Sequence, residues 1–470
     1  MPNWFAIFAL LAWPLVAAWL YSSQPIGRAT IWTILGAFLL LPVGASIKFQ
    51  GIPPFDKTSI PNLAALFGCM LVLRRPPRFW RGFGSTEFLL LMILIAPFIT
   101  AELNTDPIVL ANGDVLPAES HYDAVSAIYN EFVLLIPFFL GRQLLRSSAD
   151  NKEILRILVI AGLLYSLPML WEIRMSPQLH TWIYGYFQHS FAQVRRDGGF
   201  RPIVFMPHPL VAAFFAMTYA VAAAALWRTR ARVLRLSPAA ITGYFSLVLI
   251  LCRSLASLVY GALLVPLVRW MNPRLQMRIA LLLASIALSY PLLRSADLVP
   301  TASMIDAAAM VSEDRSESLK TRLDQEQLLL EKASHRFLFG WGRWGRSRVY
   351  AYNDESAGDI SITDGRWIIT IGQFGLFGFL AEFGLLVLPV FRAASVLKFA
   401  ESKHDSIYLA ALSLIVAISI FDLLPNGWLI PWTWLLAGAL LGRAESLRVV
   451  ARQQARTKLY ATVASTAKVG

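Results

Sequence analysis

Arginine, tryptophan and glycine are concentrated in the stretch FLFGWGRWGRSRVY, residues 337–350, within a chain that is otherwise strongly apolar. Glycine lets a backbone approach a ligand closely, and the indole faces of Trp341 and Trp344 are of the kind that stack on sugar rings. Two or three charge-assisted hydrogen bonds of about 1.5–3 kcal/mol each would hold a diphosphate without a metal ion. The forked donors suited to phosphate are those of Arg343, Arg346 and Arg348. The stretch therefore predicts a site for an anionic ligand that carries sugars.

The same stretch contains a G-x-G-x-x-G pattern from Gly340 to Gly345. In a dinucleotide site this pattern follows a strand and opens the helix of a βαβ unit. No strand is predicted before it, no such unit surrounds it, and it falls outside the membrane, where nucleotides are scarce. A dinucleotide site is therefore excluded.

A polar segment ahead of this stretch, residues 314–335, is predicted to form a helix. Asp314 suits the N-cap, with Glu317 three residues on. Arg315 and Arg322 are seven positions apart, so both project from one face. A narrow apolar stripe is formed by Leu319, Leu323 and Leu330. The segment is compatible with a solvated amphipathic helix held by i,i+4 ion pairs and with a helix that presents arginines to a ligand.

Acidic residues close the loop that holds these segments: Asp354, Glu355, Asp359 and Asp364. Their spacing matches no calcium loop. Asp364 lies where the next apolar run begins, and an acid at a membrane boundary can serve as a general base. A helix N-cap by Thr363 or Asp364 is an equally good interpretation, and the two roles are compatible.

A second cluster of candidate residues lies in RRDGGFRPIVFMPHPL, residues 195–210. Arg201 precedes Pro202 at the start of an apolar run, and His208 stands between two prolines one or two turns further on. A Pro-His-Pro break inside a membrane span is tolerated where it lines a cavity. His208 is therefore either a functional ionisable group or a structural residue at a helix break.

Composition identifies the elements that must position these residues. The chain has 470 residues, of which 57% are hydrophobic and only 15% charged, and its mean hydropathy is +0.56. A soluble domain carries roughly a quarter charged residues. The apolar runs are continuous rather than alternating, so an all-α polytopic membrane protein is predicted. The net charge of +13 is attributed to cytoplasmic loops rather than to nucleic-acid binding.

The apolar runs predict about thirteen transmembrane helices, within a range of 12 to 14, in one transmembrane domain. The predicted spans are 4–21, 30–47, 60–73, 86–101, 125–141, 153–171, 203–227, 238–252, 255–271, 276–293, 366–391, 406–423 and 428–442. The first is interpreted as a retained span rather than a signal peptide, because no basic segment precedes it and no cleavage site follows. Cys69 and Cys252 lie in apolar runs and imply no disulfide framework.

Every second loop between these spans is basic, which predicts that those loops and the basic tail, residues 443–470, are cytoplasmic. The first such loop contains Arg74, Arg75, Arg78 and Arg81. This alternation places the N-terminus outside, together with the acidic loop 102–124 and the large loop 294–365. Long loops cross the membrane largely regardless of their charge, so the arginines of loop 294–365 do not contradict this topology. A tight helical hairpin joined at residues 252–254 places Arg253 near the outer surface.

Four stretches carry a resemblance to a known family: RRDGGFRPIVFMPHPLVAAFF, DRSESLKTRLDQEQLLLEKA, RFLFGWGRWGRSRVY and SITDGRWIITIGQFGLFGFL. Together they resemble the O-antigen polymerase and ligase superfamily, and more narrowly its Wzy-type exopolysaccharide-polymerase branch. The resemblance covers roughly residues 195–390. The first five spans match only in being apolar.

The resemblance implies a GT-C-like, metal-independent membrane glycosyltransferase of the bacterial inner membrane that uses no cofactor. Its donor would be an undecaprenyl-diphosphate-linked oligosaccharide, and its active site would face the periplasm. The family's arginines match Arg201, Arg315, Arg322 and Arg346 as diphosphate ligands. Trp341, Trp344, Arg343 and Arg348 would bind sugars. The resemblance leaves the catalytic base unidentified: Asp364, His208 or neither residue fills that role. A chain-length regulator and a flippase of the same pathway are the implied partners, with no nucleic acid.

Two alternatives to a polymerase stay open at this point. Ligases of the superfamily usually place a histidine just before the span after the large loop, but this chain reads Ile362-Thr363-Asp364-Gly365. A lipid-linked saccharide transporter or flippase would show internal repeats and charges at mid-membrane, and the sequence shows neither.

Overall fold

The computed structural model describes residues 1–50, 52–74, 79–80, 82–196, 198–310, 312–353 and 356–466. The helices are α1 Trp4–Ser23, α2 Ile26–Leu40, α3 Ser59–Leu73, α4 Ser85–Glu102, α5 His121–Leu144, α6 Ser148–Met175, α7 Leu179–Tyr184, α8 Phe191–Val194, α9 Pro209–Arg228, α10 Pro238–Leu251, α11 Leu255–Trp270, α12 Pro273–Ser295, α13 Thr301–Ala309, α14 Glu313–Ser334, α15 Arg366–Val396, α16 Lys403–Asp422 and α17 Pro431–Thr466. A short 3₁₀ turn, Leu397–Phe399, follows α15. The predicted roles of Arg75, Arg78, Arg81, Asp354 and Glu355 fall outside the described residues.

Short antiparallel hairpins are the only β-structure among the described residues, apart from one isolated bridge. The strands are β1 Ser46–Phe49, β2 Ile52–Asp56, β3 Ile108–Val109, β4 Val115–Leu116, β5 Arg195–Arg196, β6 Gly199–Phe200, β7 Tyr350–Asn353 and β8 Ser356–Asp359. The pairs are β1 with β2, β3 with β4, β5 with β6 and β7 with β8. The hairpins β3–β4, β5–β6 and β7–β8 lie in loops predicted to be extracytoplasmic. The hairpin β1–β2 begins inside the predicted span 30–47, because the helix of that span ends at Leu40.

The chain is an all-α membrane protein. Within the described residues, eight helices are long and apolar enough to cross a bilayer: α1, α4, α5, α6, α9, α12, α15 and α16. Four shorter apolar helices accompany them: α2, α3, α10 and α11. Each predicted span overlaps one of these helices or the start of α17. The total number of spans stays a prediction.

Buried ion pairs tie together the helix ends that were predicted to be cytoplasmic. Arg142 near the end of α5 contacts Glu87 at the start of α4 at 2.9 Å and Glu445 of α17 at 2.6 Å. Arg443 contacts Asp405 in the first turn of α16 at 2.6 Å. A charge buried without a partner is costly, so these pairs fix the register of the four helices.

The predicted span 366–391 is not one straight helix. Arg366 and Glu382 are 16 residues apart, yet Arg366 Nε lies 2.8 Å from Glu382 Oε1. Sixteen residues of straight helix would separate them by about 24 Å. Thr370 Oγ1 also donates to Glu382 Oε2 at 2.7 Å. The chain must therefore fold back sharply between them, and it does so at Gly375, where φ is +66° and ψ is −169°.

Gly375 sits where no other residue fits without strain. Its φ and ψ belong to a region that is almost confined to glycine. A Cβ at this position would lie 2.2 Å from the carbonyl carbon of Leu338. The bend thus depends on a missing side chain, and it sets where Asp364 and the start of α15 lie.

Gly375→Ala is therefore expected to destabilise the protein by roughly 2–3 kcal/mol. The readout is the thermal midpoint of the detergent-purified protein. Gly243→Ala is the matched control, because Gly243 lies in α10 and its added Cβ would meet nothing within 4 Å. An unchanged midpoint for Gly375→Ala would contradict the bend.

The large outer loop is docked on the bundle through α14. Arg294 of α12 is buried and donates from Nη2 to the Leu323 carbonyl at 3.2 Å. Tyr290 donates to Glu326 Oε2 at 3.0 Å. Leu323 and Leu330 of the predicted stripe are buried. The helix is therefore packed rather than merely solvated, although Ser312 rather than Asp314 occupies its N-cap position.

Candidate functional site

Arginines from two distant parts of the chain come together at the end of the bundle that was predicted to be extracytoplasmic. Arg201 follows the β5–β6 hairpin, and its backbone N–H donates to the Val194 carbonyl at 2.8 Å. Burial, together with the positive charges of Arg196, Arg322 and Arg315, lowers the pKa of Arg201 to about 10. Arg322 and Arg315 lie on α14, so the prediction that Arg201, Arg315 and Arg322 share one region agrees with this geometry. We name these three residues the arginine cluster.

Arg201 is the most enclosed member of the cluster. It is only 4% exposed, and its buried Nε has no hydrogen-bond partner among the described residues. A buried guanidinium nitrogen left without an acceptor is unfavourable. An anionic ligand that supplied the acceptor would remove that cost.

Arg322 connects the cluster to the predicted base. Its Nε lies 3.3 Å from Asp364 Oδ2, and its Nη1 donates to the Pro425 carbonyl at 3.4 Å. Both Arg322 and Asp364 are about one-third exposed. Because Asp364 lies directly before the α15 half-helix, the bend at Gly375 and the docking of α14 jointly set this contact.

Sequence reasoning missed two polar residues beside the cluster. Asp422 ends α16, interacts electrostatically with Arg322, and is hydrogen-bonded by the side chains of Tyr260 and Asn426. Tyr260 belongs to α11. Asp422 was detectable as an acid inside the apolar run 406–423, since ionisable residues in spans are candidates by default.

His208 caps a helix at the edge of this site. α9 begins at Pro209, so His208 lies just before the spanning helix rather than inside it, contrary to prediction. Its Nδ1 accepts the backbone N–H of Leu210 at 3.0 Å, so the ring proton is on Nε2, 3.2 Å from Gln193 Oε1. Burial and the charges of His189, Arg201 and Arg322 lower its pKa to about 3. With both nitrogens engaged, His208 is better placed as a cap than as a base.

We expect His208→Asn to keep activity within about threefold, because asparagine is also a good N-cap, whereas His208→Ala should lose about 1 kcal/mol of stability. The depressed pKa adds a pH dependence. The unfolded histidine binds its proton near pH 6.5 and the folded one near pH 3. The contribution of neutral His208 to the free energy of unfolding is therefore fully present above pH 6.5 and falls as the pH is lowered towards 3. Thermal melts of His208→Asn should lack this pH-dependent change in stability. A hundredfold loss of activity in the His208→Asn variant would instead support a catalytic role for His208.

Arg346 is held away from the arginine cluster by the protein itself. It is 1% exposed, and its guanidinium donates to the carbonyls of Trp341 at 3.1 Å and Pro117 at 2.7 Å, and to Asn104 Oδ1 at 3.4 Å. Burial and the charge of Arg336 lower its pKa. This geometry favours a structural role, in which Arg346 joins the large loop to the loop that follows α4.

Arg346→Met should therefore cost about 1–3 kcal/mol, because it leaves buried acceptors unsatisfied. The folded fraction should keep its activity within a few-fold. Arg343→Met is the control from the same stretch, since the Arg343 guanidinium lies 5.9 Å over the ring of Trp344 and is less buried than that of Arg346. Loss of activity at an unchanged thermal midpoint would instead support the predicted role in diphosphate binding.

The glycines of the stretch 337–350 bring the backbone close to protein rather than to open space. Gly342 N–H donates to the Gln373 carbonyl at 2.9 Å, beside the bend of α15. A Cβ on Gly340 would lie 2.5 Å from that same carbonyl group. The close approach that glycine permits is thus used to seat the stretch against α15.

The predicted sugar-binding residues have different surroundings. Lys332 Nζ lies 3.8 Å over the ring of Trp341, whereas Trp344 is 56% exposed and donates to Asp123 Oδ1 at 2.9 Å. Arg348 bonds Asp359 at 2.7 Å and reaches Thr363 Oγ1 at 3.3 Å, next to Asp364. Of this set, Arg348 is therefore the residue that contacts the segment carrying Asp364.

In the described part of the chain, no group of three His, Cys, Asp or Glu side chains is placed to hold a metal ion. Comparison with known proteins found no family model and no curated protein that matches this chain.

Proposed function

We propose that this protein is a bacterial polysaccharide polymerase that joins undecaprenyl-diphosphate-linked oligosaccharide repeat units at the periplasmic face of the inner membrane. The observation that carries the proposal is the arginine cluster beside Asp364. Three guanidinium groups at the outer end of a membrane protein suit a diphosphate at the end of a lipid.

The proposed architecture is GT-C-like, with thirteen spans and the N-terminus outside. The alternation of basic loops supports this sidedness. The ion pairs of Arg142 and Arg443 support it too, since they gather the helix ends opposite the arginine cluster. The bent α15 adds one half-helix that returns to the outer face, a kind of irregularity that membranes tolerate where it lines a cavity.

In the proposed reaction, the growing glycan is linked to undecaprenyl diphosphate. A hydroxyl oxygen at the non-reducing end of the next lipid-linked unit attacks the anomeric carbon that joins the growing glycan to its diphosphate. The new glycosidic bond forms while the bond to the diphosphate oxygen breaks, and the hydroxyl proton passes to a base. Arg201 and Arg322, with Arg315, stabilise the negative charge that develops on the departing diphosphate.

Asp364 is proposed as the base that receives the proton. It is partly exposed and lies beside Arg322, whereas Asp422 is engaged by Tyr260 and Asn426. Arginine binds phosphate through two parallel N–H donors. We therefore propose that Arg322 shifts from Asp364 to the diphosphate when substrate binds. That exchange would free the carboxylate for the acceptor hydroxyl.

The proposal is tested by mass spectrometry of undecaprenyl-linked saccharides in cells lacking the protein. Single repeat units on lipid, with no polymer, are expected. Full-length polymer stranded on lipid would indicate a ligase. Single units that stay unreachable from the periplasmic face would indicate a flippase, and either result would overturn the polymerase.

A further inference from the structure

A groove of about 560 Å³ runs along one flank of the bundle between α1, α2 and α6. Its walls are largely apolar, and Trp19 and Leu164 are more than 60% exposed along it. The residues that line it include no member of the arginine cluster, and the proposed reaction makes no use of the groove. An open apolar channel on the flank of a membrane protein faces lipid.

The charged lining residues are all at one end of the groove. Gln24 and Arg28 lie at the junction of α1 and α2, and Glu153 and Arg156 lie in the first turns of α6. The opposite end is lined by Leu39, Leu40, Pro168 and Phe205. The groove therefore has a polar end and an apolar end, as an amphipathic ligand does.

The polar end is the cytoplasmic one in the topology described above. The apolar wall of α6 from Ile157 to Pro168 is about 16 Å long at the rise of an α-helix. Half of a hydrocarbon core of about 30 Å is close to this length. The groove thus begins at the cytoplasmic headgroup level and is long enough for an acyl chain of the inner leaflet.

The polar end carries an excess positive charge. Arg28 Nε lies 2.8 Å and Arg156 Nη1 lies 3.6 Å from the two oxygens of Glu153. Two guanidinium groups share one carboxylate, so a unit of positive charge remains. Both arginine side chains stay more than one-third exposed. A lipid with its charge at the outer face would meet only apolar side chains at the other end.

We propose that this groove binds an anionic phospholipid of the cytoplasmic leaflet. One acyl chain would lie along α6 and α2, and the phosphate would contact Arg28 and Arg156. The inference uses the sidedness of the chain but does not depend on the polymerase reaction.

The test is native mass spectrometry of the detergent-purified full chain with equimolar phosphatidylglycerol and phosphatidylethanolamine. Wild type should prefer phosphatidylglycerol by about fivefold per arginine contact. The Arg28→Gln/Arg156→Gln double variant should lose this preference. Glu153→Gln should strengthen it, because the competing carboxylate is removed. Arg174→Gln, at the other end of α6, is the control and should change nothing.

Leu164→Trp should fill the groove and weaken the binding of both phospholipids equally. Because Leu164 is exposed, this variant keeps the core intact, and thermal melts check that all variants are folded. Equal binding of the two phospholipids to wild type would overturn the proposal. So would an unchanged preference in the double arginine variant, or a polyprenyl phosphate as the lipid that copurifies.

Discussion

Arg201→Ala is expected to reduce the rate of polymer formation by about 10²–10³-fold, as loss of one preorganised donor to a developing anion does. Arg201 is enclosed, lies beside Arg322 and Arg315, and has a buried Nε with no partner among the described residues. It is thus preorganised for an anion that the protein does not itself supply. The measurement is the initial rate of chain extension on purified lipid-linked repeat units.

Arg195→Ala is the matched control, because Arg195 lies in the same loop and its side chain is exposed. It should stay within about twofold of wild type, as most surface substitutions away from such features change little. Arg201→Lys keeps the charge but loses the fork, so it should recover only part of the rate. A fully active Arg201→Ala protein would remove Arg201 from the site.

Asp364→Asn is expected to lower kcat by about 10²–10⁴-fold, the range for loss of a general base. Asparagine keeps the size and a hydrogen-bond acceptor towards Arg322 but cannot take the acceptor proton. KM should change little, since the diphosphate contacts remain. A merely structural role would instead lower the thermal midpoint of the protein together with its activity.

Two further carboxylates locate the base. Asp359→Asn is the control from the same loop, because Asp359 pairs with Arg348 at 2.7 Å and not with Arg322. Asp422→Asn should be milder than Asp364→Asn if Asp422 only positions Tyr260 and Arg322. The reverse order would transfer the role of base from Asp364 to Asp422.

The helices could be predicted from sequence because a bilayer leaves few solutions for long apolar runs. Every predicted span meets a helix, and the tight hairpin at residues 252–254 forms, with Arg253 donating to the Arg196 carbonyl at 2.8 Å. The bend in α15 was not predictable in this way. Gly375 stands in an apolar, glycine-rich run that reads as one helix, and its conformation depends on the backbone of residues 337–342 packing against it.

The candidate site was predictable in part, and for a related reason. Residue type indicated which side chains suit a diphosphate, and three of those residues, Arg201, Arg315 and Arg322, lie close enough to interact electrostatically. Their role as diphosphate ligands stays a prediction. Residue type does not indicate, however, whether a side chain points into the protein or towards a ligand. Arg346 points into the protein towards Pro117 and Asn104, partners more than 200 positions earlier in the chain. Trp341 is likewise covered by Lys332 and Arg336.

The most direct test uses the purified protein and single lipid-linked repeat units isolated from cells that lack it. The two are combined in detergent without metal ions or other proteins, and chain length and free undecaprenyl diphosphate are followed by mass spectrometry. We expect a ladder of longer glycans, with one undecaprenyl diphosphate released per bond formed. Neither product is expected with Arg201→Ala over the same time. Repeat units that stay single with the folded wild-type protein would contradict the proposed reaction.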